Sequence, residues 1–102
     1  MRRDVFQAIA DPTRREIIGL LANNALTLNG VAENFNVSRP AISKHLRLLH
    51  HAGLVAIRKE GTASICTLDA LPLREVNDWL NHYQTFWSES LQSLKKHMEE
   101  EQ

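Results

Sequence analysis

Apolar residues in the first half of the chain recur every three or four positions, which is the spacing of amphipathic helices. The pattern predicts four helices before residue 53, and three of them follow residues suited to a helix N-cap: Asp11, Thr27 and Ser38. Pro12 and Pro40 lie in the first turn after two of these caps, where a missing backbone N–H costs nothing. The two helices between residues 27 and 50, joined by a short turn, predict a helix-turn-helix.

The fourth predicted helix has one apolar side and one polar, basic side. Ile42, Leu46 and Leu49 form the apolar stripe, and Gly53 is placed to end the helix with a left-handed cap. The polar side carries Arg39, Ser43, Lys44 and Arg47. Such side chains suit a DNA major groove, because Arg binds guanine through two hydrogen bonds and Lys contacts phosphate. Taken alone, the pattern is explained equally well by an ordinary solvent-exposed face.

The residues after Gly53 predict a β-hairpin, with strands at residues 54–59 and 63–68 and a turn centred on Gly61. Arg58 and Lys59 lie near its tip. A basic tip beside a DNA-reading helix can reach the flanking backbone, so a DNA-contacting wing is the favoured interpretation. The alternative is a hairpin that only covers the core.

The segment after Leu71 and Pro72 repeats apolar and aromatic residues at three- and four-residue spacing. It predicts one helix of about 30 residues, roughly 45 Å long at 1.5 Å per residue. A small domain needs less to cover its core, so the early part is expected to pack on the domain and the middle on a second copy. The residues assigned to that dimer interface are Tyr83, Phe86, Trp87, Leu91 and Leu94. The alternative is an intramolecular core helix with a frayed acidic end.

Charge is distributed unevenly along a chain whose net charge is zero. Neutrality by itself argues against a nucleic-acid-binding protein. Residues 38–59, however, contain five basic side chains and no acid, whereas residues 69–102 contain seven acids and three bases. We therefore predict a local basic surface that contacts phosphate, and an acidic end that weakens non-specific binding. At 102 residues the chain is expected to form one domain, residues 1–102.

Other chemistry finds little support in the sequence. Cys66 is the lone cysteine, which fits a reducing cytoplasm, and on a strand it is predicted to be a small buried hydrophobe rather than a redox sensor. Asp78 and His82 share a helix face, which is more typical of an ion pair than of a metal site. Signal peptide, membrane span, phosphate-binding glycine loop and nucleophile motif are not found. We therefore expect a cytoplasmic protein with no membrane association, no enzymatic activity, no metal and no other cofactor.

Three stretches resemble the ArsR family of bacterial winged-helix repressors: residues 6–18 (FQAIADPTRREII), 37–46 (VSRPAISKHL) and 52–55 (AGLV). The resemblance implies a mostly α winged helix-turn-helix with a small β-hairpin, in the order four helices, two strands and a last helix. It also implies a homodimer that represses from an operator, with the first and last helices at the interface. Val5, Phe6 and Ile9 then join the predicted interface. Metal-sensing members carry paired cysteines on the third helix, and residues 27–33 here contain none.

The resulting hypothesis is a homodimeric repressor that binds a pseudo-palindromic site in double-stranded DNA. The residues assigned to base contacts are Arg39, Ser43 and Arg47. Those assigned to phosphate contacts are Ser38, Lys44, Arg58 and Lys59, and His45 at the apolar edge of the helix is a further candidate. His45 suits packing as well as it suits DNA contact. Two alternatives stay open: a sensor on the same fold that responds to a small effector or a thiol reagent, and a protein-interaction module without DNA binding.

Overall fold

The computed structural model describes residues 4–100; residues 1–3 and 101–102 of the predicted domain lie outside that range. Its elements are, in chain order, α1 (Val5–Ala8), α2 (Pro12–Asn23), β1 (Leu26–Thr27), α3 (Leu28–Ala32), α4 (Arg39–His51), β2 (Val55–Glu60), β3 (Ala63–Leu68), α5 (Leu73–Asn81) and α6 (Gln84–Glu100). This arrangement confirms the mostly helical class with a small β-hairpin. None of the helices between residues 4 and 100 has the length and apolarity that crossing a membrane requires.

The three predicted helix caps are confirmed. The Asp11 carboxylate accepts hydrogen bonds from the backbone N–H groups of Thr13, at 2.8 Å, and Arg14, at 3.2 Å. The Thr27 hydroxyl accepts from the N–H of Gly30 at 2.9 Å, and the Ser38 hydroxyl accepts from the third residue of its own helix at 3.3 Å. Each cap satisfies donors that the first turn of a helix leaves without partners, so these side chains set where α2, α3 and α4 begin.

The end of α4 is also as predicted, and Gly53 is the residue that makes it possible. Gly53 has φ +81°, a conformation that other residues rarely adopt. Its N–H bonds the carbonyl of His50 at 3.0 Å, and the N–H of Leu54 bonds the carbonyl of Leu49 at 3.0 Å. This pair of bonds is the Schellman motif. The motif lets the chain pass directly from α4, the helix predicted to face DNA, into β2.

The sheet has one more strand than the sequence predicts. The hairpin of β2 and β3 is confirmed, but the order is β1-β3-β2, because Leu26 pairs with Cys66 and Thr27 with Ile65 in antiparallel register. A two-residue strand leaves no alternation to detect, and Thr27 also serves as the cap of α3. The added strand ties the start of the helix-turn-helix to the wing.

The prediction of one long C-terminal helix is wrong in detail, because two helices, α5 and α6, meet at His82 and Tyr83. The N–H groups of His82 and Tyr83 bond the carbonyls of Trp79 and Leu80, three residues back, at 3.2 and 3.0 Å. The His82 ring Nδ1 also lies 3.3 Å from the Trp79 carbonyl oxygen. The tighter turn interrupts the α-helical ladder without any proline or glycine, so apolar periodicity alone did not reveal it.

The core lies where α1 to α4 meet the sheet and the start of α5. Its buried apolar residues are Val5, Ala8, Ile17, Leu21, Val31, Ile42, Leu46, Leu49, Ala52, Leu54, Val55 and Cys66. Cys66 is only 1% exposed, and burial raises the pKa of its thiol, which agrees with its predicted role as a packed hydrophobe. Val5 is 4% exposed, so its assignment to the dimer interface is withdrawn: its side chain is used by the core of its own chain.

The Asp11 cap predicts a pH-dependent contribution to stability. Partial burial raises the pKa of Asp11, but the backbone donors of Arg14 and Thr13 and nearby positive charge, that of Arg14 included, outweigh it and bring the pKa below its ordinary value of 3.8. A carboxyl whose pKa is depressed by folding stabilises the protein above its unfolded-state pKa, and this stabilisation is lost as the pH falls through the folded-state pKa. We expect Asp11→Ala to lower the free energy of unfolding by about 1 kcal/mol at pH 7.

Urea unfolding followed by circular dichroism measures this difference. The deficit of Asp11→Ala should shrink as the pH is lowered through the pKa of the native carboxyl. Asp11→Asn is the matched control, because it keeps a capping oxygen without the charge and should cost less at pH 7. An equal deficit for Asp11→Ala at neutral and strongly acidic pH would contradict the assignment.

Candidate nucleic-acid interface

The helix α4 is held against the domain by one side and is open on the other. Ile42, Leu46 and Leu49 are at most 2% exposed, so they fix the rotation of the helix. The predicted DNA contacts on its other side differ in exposure: Arg39, Lys44 and Arg47 are exposed, whereas Ser43 and His45 are half-buried. Ser38 is exposed, but its hydroxyl oxygen caps the helix and only its proton is left to donate. The structure thus brings three cations to one accessible face.

The wing presents its two cations in different settings. Successive side chains of a strand point to opposite faces, so Arg58 and Lys59 of β2 face opposite ways. Arg58 donates to the carboxylate of Glu60, two residues along the same face, at 3.0 Å. Lys59 instead lines a polar cleft of about 320 Å³ together with Arg39 at the start of α4. The sequence placed both cations near the tip; the structure joins only Lys59 with the face of α4.

The same cleft contains polar residues that the sequence analysis did not select. Asn29, Thr62 and Ser64 line it together with Arg39 and Lys59. A signal for one of them was present, because the hairpin register sets Ser64 directly opposite Lys59. Uncharged donors beside two cations are the side chains that contact phosphate oxygens in DNA-binding proteins.

The long axis of the molecule, 62 Å against 32 and 20 Å for the other two, reflects a C-terminal region that has little cover. Every residue of α6 is exposed. The large apolar side chains exposed on α5, α6 and the turn between them are Trp79, Tyr83, Phe86, Trp87, Leu91, Leu94 and Met98, at 44% to 73%. We call these seven side chains the C-terminal apolar stripe. A stripe of this size is typical of an interaction surface.

Aromatic contacts connect the stripe to the first helix. The Trp79 ring lies 5.6 Å from the Phe6 ring and 5.6 Å from the Tyr83 ring, both in edge-to-face geometry. Phe6 and Ile9 are half-buried. The residues of the predicted interface other than Val5 therefore lie on α1 and just after it, in the turn between α5 and α6, and on α6.

The titratable residues outside the basic face are dispersed. Between residues 4 and 100, no three His, Cys, Asp or Glu side chains are grouped so that they could hold a metal ion. His82 is engaged with the Trp79 carbonyl, as described above, and the His50 ring Nδ1 lies 2.9 Å from the carbonyl oxygen of Val55. The imidazole of His50 thus connects the end of α4 to the start of β2.

Comparison with known proteins gives one consistent family. The family described as "Bacterial regulatory protein, arsR family" matches residues 11–56. The transcriptional repressor SdpR of Bacillus subtilis is 36% identical over 80 residues, which cover 78% of this chain and 89% of SdpR. The regulator Rv2034 of Mycobacterium tuberculosis is 40% identical over 86 residues, 84% of this chain and 78% of Rv2034. The crystal structure of the ArsR-family regulator RHA00566 superposes with a TM-score of 0.75 at 31% identity, covering 86% of this chain and 97% of that one.

Proposed function

Because this chain belongs to the ArsR family and is a DNA-binding transcriptional regulator with a winged helix-turn-helix fold, we propose that it acts as a homodimeric repressor on a pseudo-palindromic operator. The observation that carries the proposal is the open basic face of α4, continued across the polar cleft by Lys59 of the wing. We propose a cytoplasmic location, beside the chromosome, and no catalytic role. Residues 1–102 then form one unit, with a DNA-binding part and terminal helices for pairing.

The geometry of α4 suits insertion into a major groove. Its 13 residues give a rod of about 20 Å, and a major groove about 12 Å wide accepts one such helix. Arg47 and Arg39 have guanidinium groups that can bind guanine through two hydrogen bonds, and the Ser43 hydroxyl can donate or accept at a base edge. Lys44 is placed for the phosphates along the groove.

The polar cleft suits one phosphate of the flanking backbone. Arg39 and Lys59 supply charge from two elements, and Thr62 adds a hydroxyl donor. Arg58 contributes less, because a contact with phosphate requires it to leave Glu60 or to share its guanidinium. Ser38 retains one hydroxyl proton for a phosphate oxygen at the start of α4.

The C-terminal apolar stripe supports the proposed pairing of two chains. Its exposed aromatic and aliphatic residues are the kind enriched at the centre of interfaces, and a second copy supplies a matching surface by symmetry. The residues proposed for the interface are Phe6, Ile9, Tyr83, Phe86, Trp87, Leu91 and Leu94. A dimer would present two copies of α4 about 34 Å apart, which meets successive major grooves on one side of the duplex.

The wing cations offer a matched test of this function. Lys59→Ala should weaken binding to selected and random duplexes alike and reduce the slope of log affinity against log salt by about one unit, since one phosphate contact is lost. Arg58→Ala removes the same charge from the same strand, but Arg58 is paired with Glu60 and contributes less to a phosphate contact, so the change in slope should be smaller. Fluorescence anisotropy at several salt concentrations measures both slopes.

Duplexes for this titration come from selection of random DNA with the wild-type protein, with an unselected duplex of equal length as the reference. Equal slopes for wild type and Lys59→Ala would contradict the phosphate contact. Absence of salt-dependent binding by the wild type to every duplex would contradict DNA recognition itself and favour the interaction-module alternative.

A further inference from the structure

One side chain, Arg14 at the start of α2, connects three helices through its guanidinium group. Its Nε donates to the carbonyl of Ala8 at 2.6 Å, and its Nη2 donates to the carbonyl of Gln7 at 3.2 Å. Its Nη1 lies 3.3 Å from the ring Nδ1 of His45 on α4. Both carbonyls lie in the last turn of α1, where partial negative charge favours a cation, and that of Gln7 also accepts from the backbone N–H of Ala10 at 3.2 Å.

This contact determines which ring nitrogen of His45 carries the proton. A guanidinium has five donors and no acceptor, so the Nδ1 of His45 must accept the bond. An imidazole that accepts at Nδ1 carries its proton on Nε2. A proton on Nδ1 would set two donors against each other.

The Nε2 proton of His45 is free to meet an outside partner. Every buried side-chain nitrogen and oxygen atom in the described part of the chain has a hydrogen-bond partner. The Nε2 of the half-buried His45 has none among the residues of that part, and it is therefore open to solvent. At 100° per residue around α4, His45 lies between the buried Ile42 and the exposed Lys44, so this donor lies at the edge of the basic face next to Lys44.

We propose that Arg14 is a positioning residue for DNA recognition: it holds His45 in the Nε2–H form, so that α4 presents a fixed donor to a phosphate of the operator. The inference rests on the proposed function, since it needs α4 on DNA. The guanidinium of Arg14 is held within the protein, because each of its three nitrogens makes a contact there. It acts through His45, which has a single accessible donor.

The position of Arg14 also links this donor to the helices proposed for pairing. Its two carbonyl partners end α1, and Phe6 of α1 contacts Trp79 of α5. A shift of α1 upon pairing would be transmitted to the Arg14 guanidinium and from there to the His45 ring. The orientation of the Nε2–H donor therefore depends on the same contacts that order α1.

Arg14→Lys is the central variant, with Arg15→Lys as its matched control. Both remove a guanidinium and keep the charge, and Arg15 also donates to a carbonyl at the end of α1, that of the C-cap residue Ile9, at 2.8 Å. Only Arg14 reaches His45. The ammonium group of lysine cannot make the three contacts of the guanidinium at once. Arg14→Lys should therefore lower affinity for the selected duplex about three- to tenfold, which corresponds to the loss of one hydrogen bond. Arg15→Lys should change it less than about twofold.

A double-mutant cycle separates positioning from a merely structural effect. In the His45→Ala background, Arg14→Lys should cause no further loss of affinity, because the donor it positions is absent. If Arg14→Lys leaves affinity unchanged, or lowers it equally with and without His45, the proposal is overturned. If His45→Ala binds like the wild type while Lys59→Ala is weakened, DNA recognition stands and only the role of Arg14 fails.

The tautomer is measured on the unaltered protein, so the test does not depend on a variant that folds. Nitrogen-15 NMR correlations within the imidazole ring should show the proton of His45 on Nε2 and an unprotonated Nδ1. In Arg14→Lys the two nitrogens should report a mixture of tautomers, and in Arg15→Lys the wild-type pattern. A proton on Nδ1 of His45 in the wild type would overturn the proposal.

Discussion

Leu91→Glu is expected to turn the proposed dimer into monomers and to lower affinity for the selected duplex about 100-fold or more. Leu91 lies in the C-terminal apolar stripe and is 64% exposed in the single chain, so the new carboxylate leaves the fold of one chain intact. Within a paired surface the same carboxylate would be buried without a partner, which is far costlier than an exposed charge. A monomer then binds one half-site and loses the high effective concentration that linkage gives the second.

Gln92→Glu is the control for this experiment, because it adds the same charge one position along α6 and outside the stripe. Sedimentation velocity at micromolar concentration should show a dimer for the wild type and Gln92→Glu, and a monomer for Leu91→Glu. Titration with the selected duplex should rank the three proteins in the same order. A Leu91→Glu protein that still sediments as a dimer would place the interface elsewhere.

Arg47→Ala is expected to cost about 1–3 kcal/mol on the selected duplex and much less on random DNA, because a guanidinium that binds a base discriminates between sequences. The side chain is exposed on α4 and borders a cavity of about 170 Å³ between that helix and Ile57 of the wing. Arg47→Lys keeps the charge and loses the paired donors, so it should restore binding to random DNA but not the preference for the selected site. Equal losses on both duplexes would make Arg47 a phosphate contact instead.

The helices of the first half could be predicted because their signals are local. A cap such as Asp11 or Ser38 acts within three residues of itself, and Gly53 ends α4 through its own backbone conformation. Local chemistry of this kind is present in the sequence in full. The basic face of α4 follows from the same reasoning, since the buried stripe of Ile42 and Leu46 leaves only one side for the charges.

The features that the sequence did not reveal depend on distant parts of the chain. The strand β1 exists because β3, about 40 residues later, provides backbone partners for Leu26 and Thr27. The contact between Arg14 and His45 joins residues 31 positions apart, and no local sequence pattern around either residue predicts it. The difference between Arg58 and Lys59, by contrast, follows from strand alternation and Glu60, and could have been predicted.

The buried thiol of Cys66 is a built-in probe of local unfolding, because a reagent can modify it only when the surrounding structure opens. Thiol reagents react with the thiolate. Burial in β3 shields Cys66 and raises the pKa of its thiol, so both effects slow its reaction in the folded protein. As the chain has no other cysteine, the labelling rate of native protein measures how often the sheet opens around that one atom. The same protection lets a cysteine introduced on the surface of α6 carry a fluorophore while the natural one stays in place.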